Sequence, residues 1–303
     1  MIEISNLTKS YGSTLAVDDL SFTVRDGVVT GFLGPNGAGK STTMRMLLGL
    51  DHPSKGTATF DGKSYHSLRA PLHEVGALLD AKSFHPGRSA RSNLRALAAS
   101  NHIPTSRVDV VLDQVGLSSV ARRRTGKFSL GMGQRLGIAA ALLGDPQVLI
   151  FDEPINGLDP EGILWVRTLL QALAAEGRTV FYSSHLMSEM AQTATDLVVI
   201  GQGRLIADTT VAGFISANTE AAFIVRSSNP EALSMALNGV GAATTREGGE
   251  LRVTGIDEVL IGDTALEHGI ALYELTAQRA SLEDVFMEVT ADAGQFKSQG
   301  ANT

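Results

Sequence analysis

Polar and apolar residues alternate over residues 2–7 and again over 20–24, which predicts strands with one buried face. The run Val28-Val29-Thr30-Gly31-Phe32-Leu33 predicts a short apolar strand ending in a glycine-rich turn. Residues 41–50 read as a helix with Met44, Met46, Leu47 and Leu48 as apolar contacts, and Gly49 and Pro53 help to end it. Residues 57–60 predict another strand, with Asp61-Gly62 as its turn. From about 71 to 143 the pattern is mostly helical, and Val108, Val111, Leu112 and Val115 recur at helical spacing. Residues 148–151, 179–182 and 197–200 predict buried strands, and 162–176 a helix that stops at Gly177. Strands alternating with helices imply a mainly parallel sheet with covered faces.

The organisation changes near residue 214. Residues 222–226 predict a strand and 230–237 a helix, and Gly248-Gly249 turns a hairpin between 243–245 and 250–253. A helix over 257–268, a strand over 271–275 and a helix over 282–289 complete a small βαββαβ pattern. The expected division is therefore 1–213, with a helical subdomain at about 71–143, then a small α+β domain at 214–292. A short polar tail at 293–303 is expected to be flexible.

Composition narrows the function. With 43% hydrophobic and 19% charged residues among 303, the chain can bury a core. A net charge of -7 speaks against a nucleic-acid partner, and the one dense basic cluster, Arg122-Arg123-Arg124, reads as a solvated face. The absence of cysteine excludes disulfides, thiolate metal sites and cysteine nucleophiles. The first residues lack a signal-peptide pattern. The longest apolar stretches, 136–144 and 147–151, are parted by Asp145-Pro146 and fall well short of the roughly 20 residues of a membrane-spanning helix. Work at a membrane would need a second polypeptide to do the crossing.

The segment Gly34-Pro35-Asn36-Gly37-Ala38-Gly39-Lys40-Ser41, followed by Thr42, fits GxxxxGK[ST] between a predicted strand and a predicted helix. Glycines let the backbone curl so that N–H groups point at phosphate oxygens, and the helix presents its positive end to the same anion. Lys40 can reach the β- and γ-phosphates of ATP, and the Ser41 hydroxyl can ligate Mg2+. Asp152-Glu153 follow an apolar strand directly, so Asp152 emerges near the phosphates and can hold Mg2+, directly or through water. Glu153 is then placed to polarise the attacking water.

With these residues in place, the chain resembles the ABC ATPase family over about residues 1–213. Phe128-Ser129-Leu130-Gly131-Met132-Gly133-Gln134-Arg135 is similar to the LSGGQxxR signature. Leu149-Ile150-Phe151-Asp152-Glu153-Pro154 and Asn156-Gly157-Leu158-Asp159-Pro160 resemble the Walker B segment and D-loop, and His185 the switch histidine. The resemblance implies an α/β P-loop NTPase fold with a mixed sheet and a helical subdomain, and an ATPase coupled to transport. It gives Tyr11 the role of stacking on adenine, the alternative being an ordinary exposed tyrosine. Ser129 and Gly131 would contact the γ-phosphate of ATP held by a second copy, and His185 the γ-phosphate in its own subunit.

Three positions depart from the family: Leu130 stands where glycine is usual, Met132 where glutamine is usual, and Asp80 where the Q-loop glutamine is expected. An acid at 80 can act through Mg2+ or water but cannot donate as an amide does. The altered signature and the C-terminal extension ending in Ser281-Leu282-Glu283-Asp284-Val285-Phe286 resemble the bacterial antibiotic-resistance and drug-export branch. The implied partners are a membrane subunit and a second ATP-binding subunit, with the pair peripheral on the cytoplasmic face of the cell membrane. Two other readings stay open on sequence: a soluble ABC ATPase in translation or DNA maintenance, and a ligand-sensing regulatory ATPase. A single phosphate loop and the lack of sustained heptads speak against the first, and intact carboxylates against a purely binding role for the second.

Overall fold

The computed structural model describes residues 1–80, 83–218, 222–278 and 280–292, so the expected tail at 293–303 lies outside the described residues. The chain divides into two compact units, one built on Met1–Val211 and one on Ala212–Val289. The first runs β1 (Ile2–Tyr11), β2 (Thr14–Val24), β3 (Val29–Leu33), α1 (Lys40–Leu47), β4 (Lys55–Phe60), α2 (Pro71–Glu74), β5 (Val75–Leu78), α3 (Ala90–Ser100), α4 (Ser106–Gln114) and α5 (Leu130–Ala141). It continues β6 (Val148–Phe151), α6 (Pro160–Ala175), β7 (Thr179–Ser183), α7 (Met187–Thr193), β8 (Asp196–Gly201) and β9 (Arg204–Thr210).

A six-stranded sheet has the order β5-β6-β7-β3-β8-β9. Its strands are parallel except β9, which runs antiparallel to β8. Every residue of β3, β6, β7 and β8 is buried, as expected for a sheet covered on both faces. A second, antiparallel sheet has the order β2-β1-β4. Phe22 of β2 meets Phe32 of β3 and Phe181 of β7 with ring centroids 5.6 and 5.8 Å apart, which packs the small sheet on the large one. Burying each such ring is worth roughly 2 kcal/mol. The order places the carboxyl ends of β6, β7 and β3 side by side, where ligands of parallel sheets bind.

Two readings from the sequence need correction. Residues 75–78 are not part of a helical stretch: they form β5, paired in parallel with β6. Four apolar residues are too few for periodicity to separate helix from strand. Strand β9 was not anticipated, because its exposed positions carry no buried run.

The second unit begins within α8 (Val211–Ala217) and continues β10 (Ala222–Ser227), α9 (Pro230–Gly239), β11 (Ala243–Glu247), β12 (Glu250–Thr254), α10 (Glu258–Glu267) and β13 (Leu272–Gln278), with α11 (Leu282–Asp292) at its end. Its antiparallel sheet has the order β11-β12-β10-β13, and the hairpin closes at the Glu247–Glu250 pair. Phe223, Val225, Leu251 and Val253 pack there with Leu233, Leu237, Ile261 and Ala265 of α9 and α10. Asn229 and Asp257 cap the two helices through their side chains.

Candidate active site

The chain leaves β3 at Leu33, curls through residues 34–39 and enters α1 at Lys40. Gly39 holds φ 105°, and a Cβ there would stand 2.6 Å from the Ala16 carbonyl oxygen, so both conformation and space demand glycine. Lys40 is only 7% exposed. Its Nζ donates to the Gly34 carbonyl at 2.5 Å and to that of Pro35 at 3.2 Å, folding the side chain back over its own loop. Burial holds the ammonium below the usual lysine range, against the opposing charges of Glu153 and Asp152. Asn36, Gly37, Gly39, Lys40, Ser41 and Thr42 face Leu79, Asp152 and Glu153 across a cleft of about 320 Å3. Gly34, Pro35 and Ala38 complete the loop behind it.

Both carboxylates arrive from the end of β6, which β7 separates from β3 in the sheet. Asp152 follows β6 and accepts from Ser41 Oγ at 2.6 Å through Oδ2 and from Ser183 Oγ at 2.6 Å through Oδ1. The Glu153 amide donates to Ser183 Oγ at 3.0 Å. Glu153 has φ 52°, a left-handed conformation uncommon for a residue with a long side chain. Its Oε2 lies 2.6 Å from His185 Nδ1 and accepts from the His185 amide at 3.3 Å. The Glu153 carbonyl accepts from Gln134 Nε2 at 2.9 Å. Lys40, Ser41, Asp152, Glu153 and His185 thus form one cluster.

Other expected site residues stand apart from it. Ser129 caps α5, accepting from the Met132 amide at 3.2 Å, and borders a separate apolar groove of about 470 Å3 with Phe84, Pro86 and Phe128. Gly131 sits in the first turn of α5, where a Cβ would stand 3.1 Å from Leu158 Cδ2. Leu130, in the usual glycine position, lies over Gly157, where a Cβ would stand 2.1 Å from Leu130 Cδ2. Tyr11 is 48% exposed; its hydroxyl donates to Asp51 Oδ2 at 2.9 Å, and Lys9 Nζ lies 4.9 Å from its ring centroid. The chain leaves the sheet after Leu78; Leu79 lines both the phosphate cleft and an adjoining depression, and Asp80, expected from the sequence as a metal ligand, lines that depression with Arg45, Leu50, Tyr65 and Phe84. Ser183 and Gln134 are the members of the site not picked out from the sequence as functional.

A glycine-rich loop opening a helix, with its serine bonded to an aspartate at the end of another strand of the same sheet, defines a P-loop NTPase. The family model described as ABC transporter matches residues 17–156, and a Domain of unknown function (DUF8746) matches 222–283. The uncharacterized ABC transporter ATP-binding protein YhcH of Bacillus subtilis (strain 168) is 35% identical over 295 residues, 96% of either chain. The bacitracin transport ATP-binding protein BcrA of Bacillus licheniformis is 44% identical over 209 residues, 68% of either chain. A solved ATP binding subunit of an ABC transporter, 24% identical, shares the fold with a TM-score of 0.65 over 72% of this chain and 92% of its own. This chain belongs to the ABC transporter ATP-binding proteins: it is an ATP-binding, ATP-hydrolysing subunit. Among the described residues, no helix is long and apolar enough to cross a membrane.

Proposed function

We propose that this subunit energises export of an antibiotic, drug or lipid-like compound through a separate membrane subunit, working on the cytoplasmic face of the cell membrane. The bacitracin and lantibiotic transport names of relatives support the export reading. The observation that carries the ATPase chemistry is the 2.6 Å hydrogen bond joining Ser41 to Asp152 at the phosphate cleft. Two hard oxygen donors there suit Mg2+, which takes one or two protein ligands plus substrate phosphates and would neutralise phosphate charge when bound. Lys40 and the main-chain N–H groups of residues 36–42 hold the triphosphate, and Tyr11 offers an exposed ring to the base. Glu153 takes the proton of the attacking water, and His185 orients its carboxylate while reaching the γ-phosphate.

Ser129 and Gly131 lie outside the cleft lined by Lys40, which favours their acting on ATP bound to a second copy. Two chains would meet head to tail around two ATP molecules, and loss of the γ-phosphate would reopen them. Glu153→Gln is expected to keep ATP binding, accumulate as an ATP-bound dimer on size-exclusion chromatography, and lose about 100- to 10,000-fold in turnover. Turnover at the level of the native chain would remove Glu153 from the role of base.

A further inference from the structure

Gln134 belongs to α5, the helix capped by Ser129, and is 5% exposed. Its Nε2 donates to the Glu153 carbonyl at 2.9 Å, while its buried Oε1 has no hydrogen-bond partner among the described residues. A side chain that only filled this space would serve better without an orphaned acceptor, since burying an unpaired carbonyl is unfavourable. The amide is therefore explained by what it donates to.

Glu153 needs such a partner. Its left-handed backbone persists only where the surroundings over-determine it. Ser183 Oγ holds its N–H, and Gln134 holds its C=O together with the Asn156 amide at 3.2 Å. The same helix grips the loop beyond Glu153, through Leu130 over Gly157 and Gly131 beside Leu158.

We propose that Gln134 is a positioning residue for hydrolysis: it ties the signature helix to the main chain of Glu153 and so holds the Glu153 carboxylate in line for proton removal. The inference rests on the reading of Glu153 as general base. Gln134 touches no reacting atom, and its effect falls on turnover rather than on nucleotide binding.

The test compares Q134L and Q134E in the full chain, with kcat and KM for Mg·ATP measured from about pH 6 to about pH 9. Q134L is expected to lose 10- to 100-fold in kcat at every pH, the order of loss for a small misplacement of a reacting group, with KM little changed. Q134E can donate to the Glu153 carbonyl only when protonated. Burial and the nearby acidic charge raise the pKa of such a carboxyl, so its kcat should climb toward the native value as pH falls and collapse as pH rises. The native chain should show no such gain on the acid side.

Trp165, the one tryptophan, lies under the Arg135 guanidinium at 4.3 Å, so its emission reports whether α5 is seated. The Q134E series is read within one folded variant and stays decisive even where Q134L does not fold. A Q134E profile parallel to the native one, or a folded Q134L with native kcat, overturns the inference. Glu153→Gln separates the two levels: native turnover in that variant overturns the base assignment beneath, whereas an inactive Glu153→Gln with a flat Q134E profile overturns only the role of Gln134.

Discussion

The Ser183 hydroxyl donates to Asp152 Oδ1 at 2.6 Å and accepts from the Glu153 amide at 3.0 Å, at a fully buried position. Ser183→Ala would leave a carboxylate oxygen and an amide short of a partner. The expected loss is about 2 kcal/mol of stability, within the range for buried unsatisfied groups, together with lower kcat. Thermal unfolding and steady-state ATPase rates check both. The phosphate loop was legible because its residues are contiguous, and the spacing itself states the chemistry. Ser183 was not, because its partners come from another strand: Phe151 pairs with Tyr182 across β6 and β7, and only that register sets Ser183 beside Asp152.

At the scale of elements, helix starts carry the most readable chemistry and the most easily missed boundaries. The pattern began α6 at Gly162, whereas the helix starts at Pro160, with Asp159 as its cap accepting from the Gly162 amide at 2.9 Å. Proline at the first position and Glu161 in the first turn fit a helix N-terminus. Asp159→Ala is expected to cost about 1 kcal/mol, read as a lower midpoint in thermal or urea unfolding. In the second unit the order of elements was legible because each has its own punctuation: Asn229 and Asp257 as caps, Gly248-Gly249 as a turn. β5 and β9 lacked such marks. One is a four-residue strand and the other is largely exposed, so neither stands out until it pairs with β6 or β8.

At the scale of the whole molecule, the separation of Ser129 from the Lys40 cleft has a functional test in mixed subunits. Lys40→Ala and Ser129→Ala chains should each be nearly inactive alone. In a two-fold symmetric pair, a mixed dimer would rebuild one site from the intact Lys40 of one chain and the intact Ser129 of the other. ATPase activity should therefore reappear on mixing, and activity that stays at the sum of the two separate samples counts against the shared site. The Leu130–Gly157 contact also matters to anyone redesigning this subunit. Leu130 is half exposed, so writing the customary glycine back at 130 would uncover Gly157 to solvent rather than repair a damaged motif, and giving 157 a side chain would strike the leucine. The two positions behave as one interlocking part, to be exchanged together or left alone.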